Sequence, residues 1–363
     1  ETPNQHRQLL AQLQLDAQMN DSISNTTSRW QKLYFDVWQL VQATFFDVSR
    51  LKDWDKLAHA FDDKIVDEAS ALACVDRLLA TLNDTYTERV VPARLSLTAA
   101  APTDGSESEK PAQDKPEDVL AVVTGDNLGY LRVLSFDRED IADRVEEAAQ
   151  KLADCRGIVL DLRQNGGGRM HQAMECCSLF LENALISTLK FRNGDGLSTW
   201  QYFVNSDQFF AEVTERDSEG NVLAVHNEMY KRRPAILAGK PLVLLINSRT
   251  ASAGELTVCS LVQYGEVGKV LMVGSGCTPG KGIGQGEYEV PDSDVRIRIT
   301  RIHWFAPGGE WLGDCGQTTA SGIEPEVLVD SDRGPEGLKA AVDELRKMLE
   351  RLAGPTQAQD PAA

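Results

Sequence analysis

Residues 157–168 read GIVLDLRQNGGG. Gly157–Leu162 is an apolar run with one internal aspartate, too short for a helix and typical of a strand buried on both faces. Three glycines then open the chain for a tight turn, and residues 169–183 return to an apolar, helix-like pattern. Strand, Gly-rich turn and helix make half of a parallel βαβ unit. Two more buried strands are expected further on, at Pro241–Asn247 (PLVLLIN) and Lys269–Val273 (KVLMV), with a helix over 252–264 between them. The repeated alternation assigns the chain to the α/β class.

The surroundings fit around this core. Residues 1–97 read as a helical segment. Trp30, Tyr34, Val37, Trp38 and Val41 recur at helical steps, and further helices are expected at about 54–63 and 68–82. Residues 98–118 (TAAAPTDGSESEKPAQDKPED) are poor in apolar side chains and read as a flexible acidic linker. The α/β core is placed at 119–353. It begins with strands at 119–123 and 129–134, followed by a helix over 138–153. Residues 190–235 are mixed and polar, expected as an excursion with short strands. Val295–Thr300 alternates as half of a hairpin around Pro291-Asp292. A last amphipathic helix spans 335–352, before a tail (354–363) expected to be disordered.

The chain has 363 residues and a net charge of -18, which disfavours non-specific contact with nucleic acid or an anionic membrane. No run approaches the ~18 apolar residues of a membrane span. The seven cysteines show no zinc-site spacing and mostly sit in apolar stretches, as small buried hydrophobes; Cys277 and Cys315 lie in Gly-rich loops where pairing or exposure is open. No metal and no cofactor is implied by any motif. The chain begins with Glu1, which is expected to reflect a missing or processed N-terminus.

Three segments carry reactive residue types, each just after a core strand. In Gln164–Gly168 the glycines let backbone N–H groups approach an anion at a helix N-terminus; the alternative is a tight turn without a ligand. In Ser248–Glu255 (SRTASAGE), Ser252 sits where a strand meets a helix, the position of a nucleophile elbow, although Ser252 and Glu255 also match a capping box. In Thr278–Gln285 (TPGKGIGQ), Lys281 stands between glycines. Desolvation would supply the neutral amine that a general base needs, and Gln285 could accept a hydrogen bond from it; the alternative is a solvated loop lysine. His171 and His303 are the weaker candidates for a base, without a supporting local pattern.

The order strand-NGGG-helix, strand-TASAGE-helix, strand-GKGIGQ resembles the C-terminal processing (tail-specific) serine peptidases. Asp53-Trp54, Leu82–Thr87 (LNDTYT) and Ser321–Val327 (SGIEPEV) extend the resemblance to about 28–90 and 119–350. It implies an α/β fold with a crotonase/ClpP-like catalytic core, a mixed β-sheet with packed helices, and an N-terminal helical segment. It implies Ser252 as nucleophile, Lys281 as general base and Gln285 as the residue that orients it. The backbone N–H groups of Ala253 and of a glycine in 166–168, Gly167 first, would form the oxyanion hole. Substrates would be polypeptides, with accessible C-termini, in the cell envelope or outside the cell, and a homo-oligomer fits the family.

Two departures stand out. Between Tyr86 and the first core strand lie about 35 residues, much of them the acidic linker, too few for the PDZ module that many members carry there. The Ser252-to-Lys281 spacing is a few residues longer than usual, with the extra length around Gly274–Pro279. Two other functions fit the same fold: a non-catalytic peptide- or ligand-binding protein, and another acyl hydrolase. The first would be expected to lose Ser252 or Lys281, and both are present.

Overall fold

The computed structural model describes residues 28–91, 117–265, 268–319, 321–330 and 334–353. The expected linker at 98–118 and the tail fall almost wholly outside them. The chain divides into two compact units.

The first unit takes the described residues up to Ala43, residues 47–91 and Glu287–Ile299. Helix α1 (Arg29–Thr44) buries Tyr34, Val37 and Val41 on one face, as its spacing predicts. Helix α2 (Glu68–Ala80) starts at Asp67, whose carboxylate accepts the Ser70 N–H. The helix expected over 54–63 is not formed; there are only short 3-10 turns at Trp54–Leu57 and Asp62–Lys64. The Trp54 carbonyl accepts from the Trp38 indole, and the Leu57 carbonyl accepts both the Tyr34 hydroxyl and, three residues on, the Ala60 N–H, which keeps this stretch in tight turns. Strand β1 (Glu88–Val90) pairs with Arg296–Arg298, the start of a later strand.

The second unit is built on a six-stranded sheet. Its strands are β2 (Val119–Val123), β3 (Gly129–Val133), β4 (Ile158–Asp161), β9 (Leu242–Ile246), β10 (Val270–Gly274) and β13 (Val327–Leu328). The order is β13-β10-β9-β4-β3-β2, parallel except for β2, so the sheet is mixed. Every residue of β4 and β9 is buried because both faces are covered. Val159, Val243 and Leu245 face Ala341, Leu345 and Met348 of α6 (Pro335–Ala353). Ile158, Leu160, Leu244 and Ile246 join a larger core with α3 (Ile141–Lys151), α4 (Met170–Cys177) and α5 (Ala253–Tyr264).

Helix α4 is shorter than the sequence pattern suggests. Beyond Cys177 the carbonyls are diverted, Ser178 and Leu181 to the Arg232 guanidinium and Leu179 to the Leu237 N–H. Residues 190–235 also differ from expectation. They contribute to four long antiparallel strands, β5 (Ala184–Asn193), β6 (Gly196–Val204), β7 (Phe209–Arg216) and β8 (Val222–Tyr230). Their mean polarity hides a two-residue period: Trp200, Tyr202, Val204, Phe209, Ala211 and Val213 point inward, while Thr199, Gln201, Glu212 and Thr214, with Phe203 and Phe210 among them, point out. The expected hairpin is present as β11 (Ile283–Glu289) and β12 (Arg296–Phe305), which pair with each other; the far end of β12 pairs with β5.

Among the described residues, no helix is long and apolar enough to cross a membrane. All seven cysteines are free. Cys74, Cys155, Cys176 and Cys177 are buried as expected, Cys259 and Cys315 are half-buried, and Cys277 is exposed.

Candidate active site

Strands β4, β9 and β10 end side by side, with Asp161 opposite Leu245 and Gly274 opposite Ile246. The three candidate loops therefore leave the sheet at its carboxyl edge, where open α/β sheets place their ligands. Beneath the first loop, Asp161 is buried in an ion pair with Arg163 at 2.7 Å and accepts the Tyr130 hydroxyl at 2.9 Å.

The loop after β9 is fixed before it reaches Ser252. The Asn247 side chain accepts the N–H groups of Gln164 and Arg249, the Thr250 hydroxyl donates to the Leu162 carbonyl, and the Ala251 N–H donates to the Asn165 carbonyl. Asn247, Thr250 and Asn165 are all fully buried. These anchors hold Ser252 at φ 55° and ψ -119°, a left-handed backbone that costs a non-glycine residue about 1–3 kcal/mol. This is the strained strand-to-helix turn that exposes a nucleophile above a sheet.

Gly167 packs against this elbow. A Cβ on Gly167 would stand 2.8 Å from the Ser252 Cβ and 2.9 Å from the Ala253 nitrogen, so only glycine fits. The Gly167 N–H itself donates to the Asn165 side-chain oxygen at 2.9 Å. Ala253 is the first residue of α5, where N–H groups have no partner within the helix.

Glu255, in the first turn of α5, is fully buried. One carboxylate oxygen accepts the Thr278 hydroxyl at 2.5 Å and the Gly280 N–H at 2.7 Å. The other accepts the Ser252 N–H at 2.8 Å and the Lys281 N–H at 2.9 Å. One oxygen thus holds the backbone nitrogens of Ser252 and Lys281 within about 6 Å of each other. The Lys281 ammonium nitrogen donates to the Gln285 side-chain oxygen at 3.2 Å. Two indoles fix the other side of this loop: Trp304 donates to the Lys281 carbonyl at 2.9 Å and Trp311 to the Gly282 carbonyl at 2.8 Å. Ser252, Ala253, Gly167, Lys281 and Gln285 are thereby gathered at one corner of the sheet.

The sequence pattern concealed several of these parts. Glu255 was legible only as the return arm of a capping box, and the bond to the Ser252 N–H is that arm. Its second role depends on Thr278, Gly280 and Lys281, which are distant in the chain. A carboxylate among apolar residues (AGELTVCSLV) is the signal that could have exposed it, since buried charges are kept only with partners. Trp304 and Trp311 were not singled out at all. His303 is stacked between Phe46 and Trp311, with ring centroids 3.9 and 4.5 Å away, and burial lowers the His171 pKa to about 4.

Asp314 closes the loop from below, bridging to Lys281 through the backbone. Burial alone would raise its pKa, but the Thr318 and Thr319 N–H groups and the Thr318 hydroxyl bind the ionised form, and the net shift is downward. A folded value below the unfolded value of about 3.9 stabilises the fold above that pH, and this contribution is lost as pH falls through the lowered folded value. The melting temperature of wild type is therefore expected to fall more steeply on acidification below about pH 4 than that of Asp314→Asn, which takes up no proton there. Parallel acid limbs would rule this out.

Comparison with known proteins agrees with the architecture. The chain is 27% identical over 218 residues to the carboxy-terminal processing protease CtpA of Bacillus subtilis, which covers 59% of this chain and 37% of the relative. It is 29% identical over 208 residues to the chloroplastic carboxyl-terminal-processing peptidase 1 of Arabidopsis thaliana, covering 55% and 33%. The chain thus spans about a third of the length of these curated relatives. Among solved structures, the photosystem II D1 C-terminal processing protease superposes with a TM-score of 0.55 at 18% identity, over 87% of this chain and 97% of that one. A lipoprotein from Streptococcus agalactiae gives 0.56 at 14% identity, over 90% and 99%. At these identities the structures share the fold. The sequence profile of peptidase family S41 matches residues 127–329, more than half of the chain and all three loops, and the chain belongs to that family.

Proposed function

We propose that this chain is a serine endopeptidase of the C-terminal processing type, working through a Ser252/Lys281 dyad. The observation that carries the reading is the shared Glu255 oxygen, which ties the two backbone nitrogens together while Gln285 receives the Lys281 amine. Neutral Lys281 takes the proton of Ser252 as its oxygen attacks the peptide carbonyl. The oxyanion is met by the Ala253 N–H and by one N–H of the 166–168 glycines. Because the Gly167 N–H already has an acceptor, it serves only by sharing or by exchanging the Asn165 oxygen for the oxyanion. Protonated Lys281 returns its proton to the leaving amine, and water then hydrolyses the acyl-enzyme by the same route in reverse.

The substrates are polypeptides with accessible C-termini, in keeping with the names of the relatives. A cell-envelope or lumenal compartment is the setting that the resemblance of its motifs implies. Denatured casein, as an unstructured polypeptide, tests the activity. Cleavage is expected, with a rate that climbs with pH by about tenfold per unit while Lys281 is still protonated. A rate that is flat between about pH 6 and 9 rejects Lys281 as a base titrating in that range. Saturable binding of peptide without turnover would instead make the chain a binding protein on this fold.

A further inference from the structure

Strand β8 ends its sheet: β7 pairs along one side, and among the described residues no strand pairs along the other. Free edges on soluble proteins are usually blunted by proline, by charge or by a very short strand. β8 runs for nine residues without proline. Val222, Leu223, Val225 and Met229 on it are 51%, 67%, 59% and 57% exposed, four of the thirteen large apolar side chains that protrude among the described residues. The apolar surface continues inward from the edge. Met229 lies opposite Phe210, and Phe210 lies opposite Phe203 with the two rings stacked at 5.5 Å. An apolar band thus crosses the outer face and stops abruptly at an unpaired backbone.

The polar side chains on β8 are self-complementary in one register only. His226 and Glu228 share the opposite face and lie 3.7 Å apart. A two-fold axis normal to the sheet pairs an edge strand antiparallel with its own copy and keeps each side chain on its face. Centring that axis on Glu228 sets two carboxylates against each other, which is unfavourable, and centring it on His226 leaves both carboxylates without an imidazole opposite. Centring it on Asn227 sets His226 against Glu228 of the second copy, twice, so that each carboxylate meets a ring N–H donor. The same register sets Val225 against Met229 of the second copy and Ala224 against Tyr230, again twice. We propose that a second copy of this chain docks on β8, antiparallel and centred on Asn227, so that the two sheets continue as one. The apolar band of each copy, Phe203-Phe210-Met229, is then extended across the junction by Val225 of the other.

Light scattering coupled to size-exclusion chromatography, over a wide range of loading concentrations, tests this with the full chain. The mass is expected to rise toward twice that of the monomer as concentration increases. Val225→Lys, which places a charge against Met229, is expected to raise the dissociation constant at least about tenfold. Glu228→Lys alone is expected to do the same, and His226→Glu combined with Glu228→Lys to restore association to within about threefold of wild type. Val225 and His226 are exposed and Glu228 is half-buried, so unchanged melting temperatures are the control for folding. A mass that stays monomeric at every concentration overturns the proposal, as does a dimer that neither single variant weakens. A monomer whose β8 amides become protected from exchange only when unstructured polypeptide is added also overturns it, and makes the edge a substrate-docking strand instead.

Discussion

Ser252→Ala is expected to lose at least about 10³-fold in kcat/KM on casein, with the fold retained. The alanine keeps the anchors of the elbow, because Asn247, Thr250 and Asn165 bind backbone rather than the serine hydroxyl. It therefore also keeps the unfavourable φ of 55°. Ser252→Gly separates the two properties of this position. Glycine adopts that backbone without penalty, so this variant is expected to be equally inert yet about 1 kcal/mol more stable than Ser252→Ala. The pair of measurements is casein turnover and thermal melting on both variants. Wild-type turnover by either would remove Ser252 from the chemistry. A glycine variant that melts below the alanine one would mean that the elbow stores no strain.

Glu255→Gln is the second change with a large expected effect. The carboxylate accepts four hydrogen bonds in a site without solvent. An amide offers one oxygen and turns an NH₂ group toward donors, so two of the four lose their acceptor. Leaving buried donors unsatisfied costs about 1–3 kcal/mol each, and a stability loss of about 2–4 kcal/mol is expected. Activity is expected to fall further than stability implies. Ser252 and Lys281 are both held by the oxygen at stake, and a displacement of about 1 Å between reacting groups costs about 10²-fold. Thermal melting and kcat/KM, read at a temperature where the variant is fully folded, separate the two losses. Full activity in folded Glu255→Gln would show that the carboxylate only supports the fold.

Much of the core was legible in the chain because its physics is local. GIVLDL and PLVLLIN are apolar without alternation, and only a strand covered on both faces tolerates that. The serine, the lysine and the glycines announced themselves by standing directly after such strands. What stayed hidden depends on partners far apart in sequence. The tight turns near Trp54 carry bonds from the Trp38 indole and the Tyr34 hydroxyl to their carbonyls. The long strands β5–β8 were obscured by their polar outward faces. Asp314, Trp304 and Trp311 gain their meaning only when the chain returns to the Lys281 loop.

The Glu255 carboxylate also bears on how such a chain can change over time. If the covalent path from Ser252 to Lys281 set their separation, each added residue would spoil the geometry. Here a cross-tie sets it, and residues 275–277 only span two fixed ends, Gly274 paired in the sheet and Thr278 bonded to Glu255. Lengthening such a segment costs little, since the entropy of closing a loop grows only with the logarithm of its length. A change in the length of that stretch therefore need not move Lys281 relative to Ser252, provided Thr278, Gly280 and Lys281 keep their bonds to Glu255.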